Sequence, residues 1–122
     1  MKTTKKHFDI FKKECQKWIK VFGILGWRFY FQHEDVYENS LAYCIFPNRI
    51  EDRVFTIGLT LNIDYDFSVL DFKRSAFHEV MESLLFRISY LAKARYLNSE
   101  DVDEEIHHLI RTFENAVFDH LI

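Results

Sequence analysis

The sequence predicts one α+β domain over residues 1–122: an N-terminal helix, a three-stranded antiparallel meander and two C-terminal helices. Residues 4–21 and 69–96 repeat apolar side chains at the three- and four-residue spacing of amphipathic helices, and another helical repeat follows Ser99. Between them, three short segments alternate apolar and polar residues, which is typical of half-buried strands. The length is sufficient for one hydrophobic core.

The first helix is predicted from a single apolar stripe with lysines between its members. The stripe consists of Phe8, Phe11, Cys15, Trp18, Ile19 and Phe22. Thr3 or Thr4 can cap the first turn through its hydroxyl oxygen. Gly23 and Gly26 follow the stripe, and glycine accommodates the left-handed backbone with which many helices end.

Three strands are predicted over residues 27–34, 41–46 and 53–61. In each segment, large apolar side chains occupy alternate positions, as they do when one face of a strand is buried. Turn residues around Asn39 separate the first two strands, and Pro47 ends the second because proline cannot continue a ladder. Because the connections are short, we expect the strands to pair in chain order as an antiparallel meander.

Two helices are predicted after the strands. The apolar stripe of the first, over residues 69–96, consists of Phe77, Val80, Met81, Leu84, Ile88 and Leu91. Ser99 is expected to cap the last helix, because acidic residues fill the turns that follow it, where the helix dipole favours negative charge. The stripe of that helix consists of Val102, Ile106, Leu109, Ile110, Phe113, Ala116 and Val117.

Composition excludes some classes of function. The net charge of −3 argues weakly against a general nucleic-acid binder, which would show a basic face. No apolar stretch approaches membrane-spanning length, and Cys15 and Cys44 lack metal-type spacing, so we expect a cytoplasmic protein with reduced thiols. The aromatic content of 17% predicts a large aromatic core or a surface that a partner covers.

The candidate chemistry lies in the segment His78-Glu79-Val80-Met81-Glu82. It differs at one position from the H-E-x-x-H motif of zinc hydrolases, because Glu82 replaces the second histidine. His78 and Glu82 are four residues apart and share one face of a helix. A count of 100° per residue places them at the edge of the apolar stripe, with Glu79 towards solvent.

A third ligand is expected from the last helix. His107 lies on the flank of its apolar stripe and is the preferred residue, while Glu104, Glu105 and His108 are expected to be more exposed. Together with His78 and Glu82 it would complete two imidazoles and one carboxylate, a set that suits Zn²⁺ and also non-haem iron. The open fourth position would then activate water, with Glu79 as the general base.

The chain resembles the small zincin-like metallopeptidases that are common in bacteriophages. The residues that carry the resemblance are Ala76, His78, Glu79, Leu84, Leu85 and the segment from Glu104 to Asn115. The resemblance covers nearly the whole chain, and it implies a compact zincin fold with the third strand on the cleft side. The departure from the family pattern is Glu82.

Two classes of function follow from these residues. The first is a metal-dependent peptidase of phage or mobile-element origin with an altered motif, acting on peptides. The second is an inactive zincin scaffold that binds a host protein through its aromatic surface, and a homodimer through the helical layer is compatible with either. A solvated helix edge with no bound metal would show the same residues around His78.

Overall fold

The computed structural model describes residues 1–94 and 98–118, and it confirms the α+β class and the element order. The elements are α1 (Lys5–Phe22), β1 (Arg28–His33), β2 (Ala42–Ile45), β3 (Val54–Leu59), α2 (Val69–Lys93) and α3 (Ser99–Phe113). A 3-10 turn at Ile50–Asp52 precedes β3, and a π-helical turn at Glu114–Phe118 follows α3. The predicted end of the second helix at Tyr96 lies outside the described residues.

Side chains cap the start of each α-helix. The Thr4 hydroxyl accepts a hydrogen bond from the His7 backbone N–H at 3.3 Å, which confirms one of the two predicted caps of α1. Ser68 caps α2 together with Asp71. For α3 the prediction was wrong by one residue, because the Asn98 side chain caps the helix and Ser99 is its first residue.

The prediction of an antiparallel meander was wrong. The strand order is β1-β3-β2, so β3 lies in the centre; it pairs in parallel with β1 and antiparallel with β2. The reason is burial: Phe55, Ile57 and Leu59 of β3 are 1%, 0% and 0% exposed, and a strand this apolar is most stable between two others. Pairing in chain order would have left β3 at an edge.

Two contacts hold β1 and β2 on opposite sides of β3. Tyr43 of β2 lies across Gly58 of β3, and its hydroxyl accepts a hydrogen bond from Gln32 of β1 and donates one to the Glu34 carbonyl, both at 2.9 Å. Asp35, just after β1, accepts hydrogen bonds from the backbone N–H groups that follow β3. The absence of a side chain at residue 58 lets the tyrosine ring cross the central strand.

The helices α1 and α2 pack together over one face of the sheet. The main core contains the fully buried side chains of Phe11, Cys15, Ile57, Leu59, Phe72, Ala76 and Val80. The helix α2 also contacts the edge strand β2. Phe46, which directly follows β2, lies beside His78 and Glu82 of the H-E-V-M-E segment. The third strand, which the resemblance placed on the cleft side, is instead the centre of the sheet.

No helix in residues 1–94 and 98–118 combines the length and the hydropathy that crossing a lipid bilayer requires.

The contact between Tyr43 and Gly58 generates a prediction about stability. A methyl group at residue 58 would overlap the buried Tyr43 ring, so Gly58→Ala should lower the free energy of unfolding by about 1–3 kcal/mol. Urea denaturation measures this loss. Thr56→Ala is the matched control, two residues away on the same side of β3, and it should cost less. Equal losses in the two variants would contradict the proposed overlap.

Candidate metal centre

The buried side of α2 differs from the apolar stripe predicted for it. Glu79 and Ser83 are buried with Val80 and Leu84, whereas Phe77 and Ile88 of the predicted stripe are partly exposed. The expectation that Glu79 points to solvent was therefore wrong, since Glu79 is only 6% exposed. The apolar repeat could not show this, because Glu79 and Ser83 are polar residues on the buried face of the helix.

Three side chains of the motif come together. His78, Glu79 and Glu82 each offer a ligand atom, and these atoms lie within 4.8 Å of one another. His78 Nε2 is 3.3 Å from Glu82 Oε1, as expected for residues four apart on a helix. Donor atoms around one metal ion lie about 3–4 Å apart when the bonds are about 2.1 Å long. Small rotations of His78 and Glu82, which are both exposed, would bring the set to that spacing.

Glu79 is electrostatically unusual. Burial, and then the negative charge of Glu82, raises the pKa of the Glu79 carboxyl to about 8, so its protonated form predominates at neutral pH. Its Oε2 atom is buried and has no hydrogen-bond partner among the described residues. Burial, and then the negative charge of Glu79, raises the pKa of the Cys15 and Cys44 thiols. Both thiols therefore stay protonated and can offer Glu79 only the weak hydrogen bond of an S–H group.

His107 is placed away from this cluster. Among the described residues, the group that can share a metal ion contains His78, Glu79 and Glu82 and does not include His107. The His107 side chain is exposed on α3, and its Nδ1–H donates a hydrogen bond of 2.7 Å to the Asp103 carbonyl within the same helix. The structure thus does not assemble the predicted pair of imidazoles.

Glu104, Glu105 and His108, the alternative third ligands, also lie outside the group. Glu104 is exposed as expected, but Glu105 is only 2% exposed, which contradicts its predicted exposure. Its Oε2 is 2.8 Å from Nε of Arg87 on α2, and its Oε1 is 3.3 Å from His108 Nδ1. Glu105 therefore joins α2 to α3, and its burial next to a cation explains why a charged residue occupies that face.

An apolar groove of about 460 Å³ adjoins the cluster. His78 and Glu82 form one part of its wall, and the remainder includes Phe46, Met81, Leu85 and Phe86. Phe46 and Leu85 lie beside the site, although the sequence did not identify them as site residues. The sequence does place Phe46 at the end of a strand, directly before Pro47. Its nearness to α2 could not be predicted, because it depends on β2 being an edge strand.

The cluster fits a divalent metal ion on two grounds. Imidazole nitrogen and carboxylate oxygen are both accepted ligands of zinc. The unpartnered carboxylate atom of Glu79 is the kind of buried group that an ion satisfies. The set differs from the predicted one, because it contains one imidazole and two carboxylates.

No family model, curated protein or solved structure matches the chain.

The raised pKa of Glu79 generates a prediction about pH. The pKa is about 8 in the folded protein and 4.5 in the reference state, so folding favours the protonated carboxyl. The contribution of the Glu79 carboxyl to the free energy of unfolding is fully present below pH 4.5 and is lost as the pH rises through about 8. Glu79→Gln resembles the protonated form at every pH. Its free energy of unfolding relative to that of the wild type should therefore be higher at pH 8 than at pH 5 by about 2 kcal/mol or more.

Urea denaturation of the wild type and of Glu79→Gln at pH 5 and at pH 8, with a chelator present, measures this difference in the free energy of unfolding. Glu104→Gln removes an exposed carboxylate and is the matched control, whose difference from the wild type should hardly change with pH. A difference for Glu79→Gln that is the same at both values would show that Glu79 titrates normally.

Proposed function

We propose that this chain is a zincin-like protein that binds a divalent metal ion on the H-E-V-M-E segment of α2. The observation that carries the proposal is the group formed by His78, Glu79 and Glu82, whose ligand atoms lie within 4.8 Å of one another. His78 Nε2 and Glu82 Oε1 lie 3.3 Å apart, a spacing that two ligand atoms of one cation can have. Zinc is the metal that the resemblance to phage zincins suggests.

The first candidate activity is metal-dependent hydrolysis of peptides. A bound metal ion would supply Lewis acidity towards a peptide carbonyl. His78 and Glu82 would hold the ion, and the adjoining groove, with Phe46 and Leu85 in its wall, would accept an apolar part of the substrate. Glu79 would have to lose its proton and reach water in order to act as the general base.

The second candidate is a non-catalytic scaffold that binds a host protein. An exposed apolar stripe on α3 favours it: Ile106, Ile110, Phe113 and Val117 lie on one side of the helix and are each more than two-fifths exposed. Exposed apolar side chains that form a continuous patch are typical of protein-binding surfaces. The same stripe is where we place a homodimer contact, if one forms.

Metal binding is tested on untagged protein by a thermal shift. Zn²⁺ at about 100 times its dissociation constant should raise the melting temperature by about 5 °C or more. His78→Ala should abolish the shift, because it removes the only imidazole of the group. His107→Ala should retain the shift. Absence of a shift in the wild type, together with absence of metal in the purified protein, would refute the proposal.

The two candidate activities are separated by chelator. A peptidase should cleave a peptide pool only when metal is present. A scaffold should retain a stoichiometric partner from a bacterial lysate in the presence of chelator, and should lose it when Ile106 and Ile110 are both changed to serine. Val36→Ser alters an exposed apolar residue outside α3 and is the control. A partner that survives the α3 changes would exclude the stripe as its binding surface.

A further inference from the structure

The position of Glu79 does not suit a general base. A base that activates water needs a carboxylate that is ionised and open to the substrate side of the metal. Glu79 is more than nine-tenths buried, whereas His78 and Glu82 are exposed beside the groove. Its carboxyl group nevertheless lies close to the ligand atoms of both residues. The side chain thus approaches the candidate centre from the protein interior.

The surroundings of Glu79 leave one of its oxygen atoms without a partner. Oε2 is buried, and no N–H group or hydroxyl of the described residues donates a hydrogen bond to it. The Glu82 carboxylate lies within hydrogen-bonding reach of Glu79, but two carboxylates can pair only when one of them carries a proton. An unsatisfied buried polar atom is rare in folded proteins and requires an explanation, of which an ion is one. Ligand atoms of Glu79, Glu82 and His78 lie within 4.8 Å of one another. A cation among them would satisfy the buried oxygen and bind both carboxylates.

We infer that Glu79 is the third metal ligand, together with His78 and Glu82, and not the general base of a hydrolase. The inference rests on the proposed metal binding and changes the role of one residue in it. It requires no residue from α3, in agreement with the exposed position of His107. One imidazole and two carboxylates form an oxygen-rich set that accepts Mn²⁺ or Fe²⁺ as well as Zn²⁺. In this role Glu79 would not be available as the proton acceptor that the proposed peptide hydrolysis requires.

Metal affinity distinguishes a ligand from a base. The experiment is calorimetric titration of the full, untagged, demetallated chain with Zn²⁺ and separately with Mn²⁺. Glu79→Gln and Glu79→Leu should each weaken binding of both ions at least tenfold. Glu104→Gln, an exposed acidic residue on α3, should bind as the wild type does. Circular dichroism of each variant verifies that it is folded, and Glu79→Leu guards against weak ligation by the glutamine carbonyl.

The outcomes separate the inference from the proposal on which it rests. Wild-type affinity in both Glu79 variants would overturn the ligand role while leaving metal binding intact, since a general base can be replaced without loss of the ion. Failure of the wild type to bind either ion would overturn both. Weakened binding in both Glu79 variants, with the control unchanged, would support the ligand role.

Discussion

The structure depends on how α2 packs against α1 and the sheet. This packing buries Ala76 and Val80 in the main core with residues of α1 and β3. Glu79 and Ser83 lie on the same face of the helix and are buried with them. Burial of a carboxyl group disfavours its charged form, so the packing of one helix determines the protonation of the motif's central residue. The groove beside His78 depends on the same arrangement, because Phe46 follows β2.

The sheet order makes this arrangement possible. With β3 in the centre, β2 becomes an edge strand, and it is this strand that lies along α2. The Tyr43 ring crosses β3 at Gly58, where a side chain would overlap it, and its hydroxyl donates a hydrogen bond to the Glu34 carbonyl after β1. The Asp35 carboxylate, also after β1, accepts a hydrogen bond from the backbone just beyond β3. An edge strand next to the candidate centre also leaves its outer backbone groups unpaired with the sheet. The strand order therefore determines which residues surround the candidate site, since it places β2 and Phe46 beside α2.

The two buried glutamates of α2 and α3, Glu79 and Glu105, have different surroundings. Glu105 is buried against Arg87 and joins α3 to α2, whereas the buried Glu79 lies beside a second acidic residue, Glu82. A buried carboxylate with a cation beside it is compensated, so Glu105 has a structural explanation. No lysine or arginine forms a salt bridge with Glu79 among the described residues, whereas Arg87 lies 2.8 Å from Glu105, and this contrast in nearby cations separates the two buried acids.

The sequence by itself determined the element types, most of their boundaries and the pairing of His78 with Glu82, because these depend on periodicity and capping within a single element. It did not determine that β3 is central, that Glu79 is buried, or that His107 lies outside the group of potential ligands. Those facts depend on which faces of separate elements meet. Apolar periodicity identifies the apolar part of a buried helix face, but it cannot show that polar residues such as Glu79 and Ser83 are buried on that face. Only the tertiary structure decided that the motif's glutamate points inward.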